Sequence, residues 1–189
     1  MAITNTFNGS QWLVVVDMQR IFERPDSPWA TPGIQEIVEP IQRLIRWAAP
    51  QVCFTRFLAP VHPEGAWQAY YRDWPFALQP EDSPDYVLMD AFREVEGIRI
   101  DATTFSKWTP AMQALLKPGH RMILAGVSTD CCVLSTALAA ADGGVYVDVV
   151  ADACRGVNEE SHRRALDVMA LYRPQIRIVT VNEILGEPS

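Results

Sequence analysis

The stretch RMILAGVSTDCCVLSTALAAADGGVYVDVVA, residues 121–151, decides how the rest of the chain is read. RMILAG (Arg121 to Gly126) is a continuous apolar run of strand length, and VYVDVVA (Val145 to Ala151) is a second. Between them, Thr129 to Ala141 is an alanine-rich helical pattern that stops at Gly143-Gly144. Unbroken apolar strands are covered on both faces, and a helix between two of them is the crossover of a parallel pair.

The same rhythm extends in both directions. WLVVVD (Trp12 to Asp17), VCFT (Val52 to Thr55) and IRIVTV (Ile176 to Val181) are further strand-length runs, and IRID (Ile98 to Asp101) is a shorter one. IQEIVEPIQRLIRWAA places Ile34, Ile37, Val38, Ile41, Leu44, Ile45 and Ala48 at helical steps, with Pro40 expected to disturb its early turns. Glu159 to Tyr172 is a third helix, ending before Pro174. The expected fold is a single α/β domain over residues 1–189, a three-layer α-β-α sandwich around a mostly parallel, roughly six-stranded sheet. Leu58 to Pro84 breaks the pattern with five prolines and with Trp67, Tyr70, Tyr71, Trp74 and Phe76. It reads as a lid over a site, a subunit contact or a satellite cluster at the sheet edge.

Composition narrows the function. A net charge of -7 provides no basic footprint for nucleic acid or an anionic membrane, so a small molecule is the expected partner. No run approaches the roughly 18 apolar residues of a membrane span. MAITNTFNGSQW lacks the basic and apolar regions of a secretory signal, so a cytoplasmic protein with reduced thiols is expected. Cys53, Cys131, Cys132 and Cys154 have no metal-type spacing.

Ligands of open parallel sheets bind beyond the carboxyl ends of the strands. Asp17 closes the first strand, Arg56 follows the second, Lys107 follows IRID, and the cysteine pair follows RMILAG. With Ser128 or Thr129 as N-cap, Cys132 falls in the first helical turn, where free N–H groups favour a thiolate, and Cys131, about 100° around the helix, points elsewhere. Buried free cysteine is the structural alternative. Asp17 is either a general base toward that thiol or a loop cap. Lys107, between Phe105 and Trp108, is either held in an apolar setting or snorkels to the surface, whereas Lys117, before Pro118-Gly119, is solvated. Arg56 suits a substrate carboxylate or a salt bridge to a neighbouring acid. Phe22 and Trp29 are either pocket wall or core.

Taken together, these residues resemble the isochorismatase-like cysteine hydrolases, a family that includes nicotinamidases, N-carbamoylsarcosine amidases and ureidoacrylate-type amidohydrolases. VVVDMQRIF resembles the family's opening strand, with its aspartate at Asp17 and Gln19 two residues on. GVSTDCCVLSTALAAADGG is similar to the nucleophile segment G-V-x-T-x-x-C-V-x-x-T, which aligns Cys132 with the nucleophile. VVADACRG and VTVNEIL resemble the closing strand, helix and strand. The resemblance implies a Rossmann-like sheet, a triad of Asp17, Lys107 and Cys132, and a cis peptide between Val127 and Ser128. It also implies an oxyanion hole from the N–H groups of Ser128 and Cys132. Gln19 of the opening motif, with Phe22 and Arg56 by their places after strand ends, is expected near the substrate. The lysine segment FSKWTPAMQALL is more compact than in many members, and a slipped register would bring Arg99 to that place. Nicotinamidases carry Asp-x-His after the second strand, where this chain reads TRFLAPVHP, so neither zinc nor another cofactor is expected. A homo-oligomer, dimer or tetramer, is implied.

The expected function is a metal-independent cysteine hydrolase that cleaves a C–N bond of a small amide, ureido or carbamoyl substrate through a thioester. An isochorismatase-type vinyl ether hydrolase keeps the fold without a covalent cysteine. A non-catalytic binding or redox-responsive protein using Cys131 and Cys132 is the third reading, and adjacent cysteines rarely reach unstrained disulfide geometry.

Overall fold

The computed structural model describes residues 10–188; the opening MAITNTFNG read above lies outside them. Its strands are β1 (Gln11–Val16), β2 (Val52–Phe57), β3 (Ile98–Ala102), β4 (Arg121–Val127), β5 (Tyr146–Arg155) and β6 (Ile176–Val179). They form one sheet in the order β3-β2-β1-β4-β5-β6, and every neighbouring pair is parallel. The chain begins at the centre, steps outward to β3, returns beside β1 as β4, and continues to the other edge. The direction of winding therefore reverses between β1 and β4, and their carboxyl ends flank the crevice where such sheets bind ligands.

Alternation along the strands feeds two cores. Leu13 and Val15 of β1 face one side, with Phe54, Ile123 and Ala125. Val14 and Val16 face the other, with Cys53, Met122 and Leu124. The first layer is completed by α1 (Arg20–Glu23), α2 (Val38–Ala48), α3 (Ala66–Asp73) and α4 (Asp90–Arg93). The second contains α5 (Pro110–Leu115), α6 (Leu134–Asp142) and α7 (Glu159–Ala170), and α8 (Val181–Leu185) returns to the first. Side chains supply orphan donors at several starts: Thr109 accepts from Met112 N–H, Asn158 from Ser161 N–H, and Thr180 with Glu183 forms a capping box. The turn before α2 is wound as a 3-10 segment, Ile34–Ile37, and Pro40 falls in the first α-helical turn, where an amide donor is dispensable.

Three elements differ from the sequence reading. β6 stops at Val179, because Thr180 caps α8 and Val181 opens that helix instead of ending the strand. β5 runs past Ala151 to Arg155, because a register shift opposite Leu124 and Gly126 lets it continue beside β4. The proline-rich segment 58–84 is not a bare loop: it contains α3 and a 3-10 turn, Pro75–Ala77. Its rings form a cluster in which Trp67 and Tyr70 pack on Phe105, and Tyr70, Trp74 and Phe76 pack around Trp29. No helix among the described residues is long and apolar enough to cross a membrane.

Candidate active site

Asp17 stands one residue beyond β1, turned out of the strand by a φ of 50°, a left-handed conformation uncommon for a non-glycine residue. Its neighbour on β2 fixes it there. Thr55 Oγ1 donates to Asp17 Oδ1 at 2.6 Å and accepts from Asp17 N–H at 3.2 Å. The other carboxylate oxygen faces Lys107 Nζ at 2.9 Å, with neither side chain exposed to solvent. That contact is an ion pair without hydrogen-bond alignment, so Oδ2 accepts no hydrogen bond.

Lys107 is locked from three sides. Its backbone N–H donates to Thr136 Oγ1 on α6 at 2.9 Å, and its ammonium donates to the Thr104 carbonyl at 3.0 Å. The ammonium also lies 4.9 Å above the centre of the Phe57 ring. The following Trp108 packs on Gly143 so closely that a Cβ there would sit 2.6 Å from the indole. Arg99 is elsewhere: it stacks on Phe54 and donates to the Gly97 and Val95 carbonyls at the sheet edge.

β4 delivers the cysteines. Gly126 passes β1 with φ 114°, and a Cβ would lie 2.2 Å from the Val16 carbonyl oxygen, so only glycine lets the two strand ends approach this closely. The Val127–Ser128 peptide is cis. A π-helical turn, Thr129–Val133, then leads into α6, and the N–H groups of Cys131 and Val133 both donate to the Ser128 carbonyl at 3.1 Å. The Thr129 hydroxyl and His162 Nδ1 share a buried hydrogen bond of 2.8 Å. Asp130 braces the turn from outside, its Oδ1 accepting from Val157 N–H at 2.9 Å.

Cys132 is 5% exposed and touches a cavity of about 530 Å³. The Cys131 sulfur beside it, and then burial, push its thiol well above the ordinary range; Asp17 adds to this, and the Lys107 ammonium opposes it. The hydrogen bond shared by the two cysteines raises the thiol of Cys132 and lowers that of Cys131, and the Lys107 ammonium favours the thiolate on both. The expectation that Cys131 points elsewhere is corrected: it lines the same cavity.

Six rings wall the cavity: Phe22, Trp29, Phe57, Tyr70, Trp74 and Phe105. Phe22 stacks on Trp29 with centroids 6.1 Å apart, so both residues form pocket wall. Ser128 and Asp130 supply oxygen at the lining.

Gln19 and Arg56, expected near substrate, are occupied elsewhere. Gln19 is fully buried; its Nε2 donates to the Phe57 and Tyr86 carbonyls, and its Oε1 accepts from Phe57 N–H, which leaves its amide tying the aromatic segment to β2. Arg56 lies opposite Asp101 in the parallel register and binds it in a bidentate pair, with two bonds of 2.7 Å. The sequence reading gave no role to Thr55, Thr136, Gly126 or Asp130. Thr136 is the last position of the V-x-x-T pattern, and Gly126 its first glycine, which is where a signal lay.

No group of three or more His, Cys, Asp or Glu side chains among the described residues is arranged to hold a metal ion. His62 of TRFLAPVHP is exposed at the surface.

Comparison with known proteins agrees with this fold. No curated protein matches the chain. A cysteine hydrolase from Pseudomonas syringae pv. phaseolicola superposes with a TM-score of 0.80 at 20% identity, over 95% of this chain and 92% of that one. N-carbamoylsarcosine amidase from Thermoplasma acidophilum gives 0.70 at 17% identity, over 91% and 96%. A zinc-bound pyrazinamidase from Pyrococcus horikoshii gives 0.70 at 25% identity, over 90% and 99%. The isochorismatase domain matches residues 11–182, the whole sheet with its strand-end aspartate and cysteine, and the chain therefore belongs to the isochorismatase family of hydrolases.

Proposed function

We propose that this protein is a metal-independent cysteine hydrolase that cleaves the C–N bond of a small amide, ureido or carbamoyl compound through a thioester. One observation carries the reading: a fully buried Asp17–Lys107 pair at 2.9 Å, its ammonium over the cavity-lining Phe57 ring, acts electrostatically on Cys132 in the cavity wall. A thiol held protonated needs a base, and Asp17 Oδ2, with no hydrogen bond of its own, has a lone pair for that proton. Lys107, paired with Asp17 and lowering the Cys132 thiol, steadies the thiolate after the transfer.

In this mechanism Cys132 Sγ attacks the carbonyl carbon as its proton passes to Asp17. The tetrahedral oxyanion is met by backbone N–H groups of the 128–132 turn. Collapse breaks the C–N bond, and the proton on Asp17 goes to the departing nitrogen. Water then gives a proton to Asp17 and attacks the thioester; the acid leaves and the proton returns to sulfur. The net reaction is amide plus water to acid plus amine. The reading also takes residues 1–189 as one domain, acting in the cytoplasm with its four thiols reduced, as a homo-oligomer.

The test is brief iodoacetamide treatment near neutral pH followed by mass spectrometry, alongside ammonia release from a panel of primary amides. Labelling at Cys132 that amide substrate suppresses, and loss of ammonia release in Cys132→Ala, are expected. Ammonia release that survives Cys132→Ala overturns the covalent route, whereas vinyl ether cleavage that survives it, with no ammonia released from any amide, supports the isochorismatase-type alternative.

A further inference from the structure

The proposed reaction leaves open what lies on the other side of the carbonyl, and the cavity speaks to that. Its six aromatic walls surround the approach to Cys132. Among the described residues no Lys, Arg or His lines it, and the charged side chain at the lining is that of Asp130. Lys107 cannot serve as a substrate cation, because it is fully buried and engaged with Asp17 and the Thr104 carbonyl. Arg56 is paired with Asp101, and Arg155 is paired with Glu36. The rim continues the same chemistry: Val157, which lines the cavity, is 50% exposed.

A carboxylate brought into such a space would lose its hydration, find no guanidinium or ammonium in exchange, and meet Asp130. A flat apolar group would gain ring contacts on several sides, in the edge-on and stacked arrangements that the walls already show among themselves. A volume of about 530 Å³ is in the range of pockets that enclose a ring-sized ligand and exceeds what a bare short-chain amide fills.

We infer that the substrate presents an uncharged, planar apolar group to the Phe22, Trp29, Tyr70 and Trp74 walls, and that anionic acyl compounds are rejected. The inference deepens the cysteine hydrolase reading and rests on it for the orientation of the carbonyl, while the binding preference stands on the cavity alone.

The experiment measures binding apart from turnover. Cys132→Ala is titrated, with tryptophan fluorescence as readout, against 4-methylbenzamide, its carboxylated counterpart 4-carboxybenzamide, and propanamide. The expected result is that 4-methylbenzamide binds at least about tenfold more tightly than either of the others. Protection of wild-type Cys132 from iodoacetamide by the same three compounds gives an independent ranking should the alanine variant fold poorly. Val157→Lys, which puts an ammonium at the rim beside Asp130, should shift the ratio toward 4-carboxybenzamide by about tenfold. Equal or tighter binding of 4-carboxybenzamide or propanamide, or binding of 4-methylbenzamide weaker than about 1 mM, overturns the inference. If the neutral aryl amide binds selectively but the wild type releases no ammonia from any amide, the hydrolase reading fails and the pocket preference stands. If ammonia is released fastest from the carboxylated amide, the reverse holds.

Discussion

Lys107 and Asp17 form an ion pair sealed from solvent, Nζ to Oδ2 at 2.9 Å, with residues 90 positions apart in sequence brought together by the return of the chain to the centre of the sheet. Removing one partner leaves the other charge buried and uncompensated. Asp17→Asn, a replacement that tolerates the left-handed φ, and Lys107→Met should each destabilise the fold by about 3–5 kcal/mol in urea unfolding. The double variant should lose clearly less than the sum of the two. Strict additivity would mean that the two charges do not support one another.

The directions of the forces on Cys132 predict how its reactivity moves with pH. The Cys131 sulfur is the largest influence raising it, and the Lys107 ammonium lowers it. In iodoacetamide labelling followed by mass spectrometry across a pH series, the inflection for Cys132 should fall in Cys131→Ser and rise in Lys107→Met. Movement of both in the same direction would show that these neighbours do not set the thiol's proton affinity.

The succession of strands and helices along the chain and the meeting of Asp17 with Lys107 were legible because each depends on local pattern plus one topological rule. Apolar runs mark buried parallel strands, and such strands bring their carboxyl ends to one edge. What escaped the sequence reading depends on side-chain direction across strands. Arg56 was placed at the correct edge, yet its register opposite Asp101 on β3 sends it into an ion pair. Gln19 sits two residues from Asp17, yet its amide bonds Phe57 and Tyr86, partners 38 and 67 positions away that no local pattern reveals. Cys131 was separated from Cys132 by ideal helical geometry, whereas the turn that carries both is π-helical and both reach the cavity. The aromatic richness of 58–84 was visible, but its closure on Trp29 and Phe105 required the fold.

Gly126 is the position where the backbone leaves least choice. Its φ is 114°, and a Cβ would lie 2.2 Å from the Val16 oxygen, which is backbone and cannot swing aside. Gly126→Ala should cost about 3 kcal/mol or more, adding steric overlap to conformational strain. Gly119→Ala is the control: its φ of 85° is also left-handed, but nothing lies within 4 Å of the added carbon, so strain alone of about 1 kcal/mol is expected. Equal losses in urea unfolding would mean that close approach of β4 to β1 is not what selects glycine.

Two further thiols predict an alkaline limit to stability. Burial pushes Cys53 and Cys154 up from 9.0 to about 12, against weaker opposition from Arg99 and from the Gly126 backbone respectively. Between those values the unfolded chain releases both protons while the folded chain keeps them, so the unfolded state binds fewer protons and stability falls as pH rises. Below pH 9 the two thiols are protonated in both states and their effect on the pH slope vanishes. Each thiol should contribute a slope of about 1.4 kcal/mol per pH unit within the window. Cys53→Ala with Cys154→Ala should lower stability at neutral pH through the cavities left behind, yet lose less between pH 9 and the unfolding limit than the wild type does. Parallel pH profiles for the two proteins, measured by urea midpoints, would show that these sulfurs ionise as readily in the folded chain as in the unfolded one.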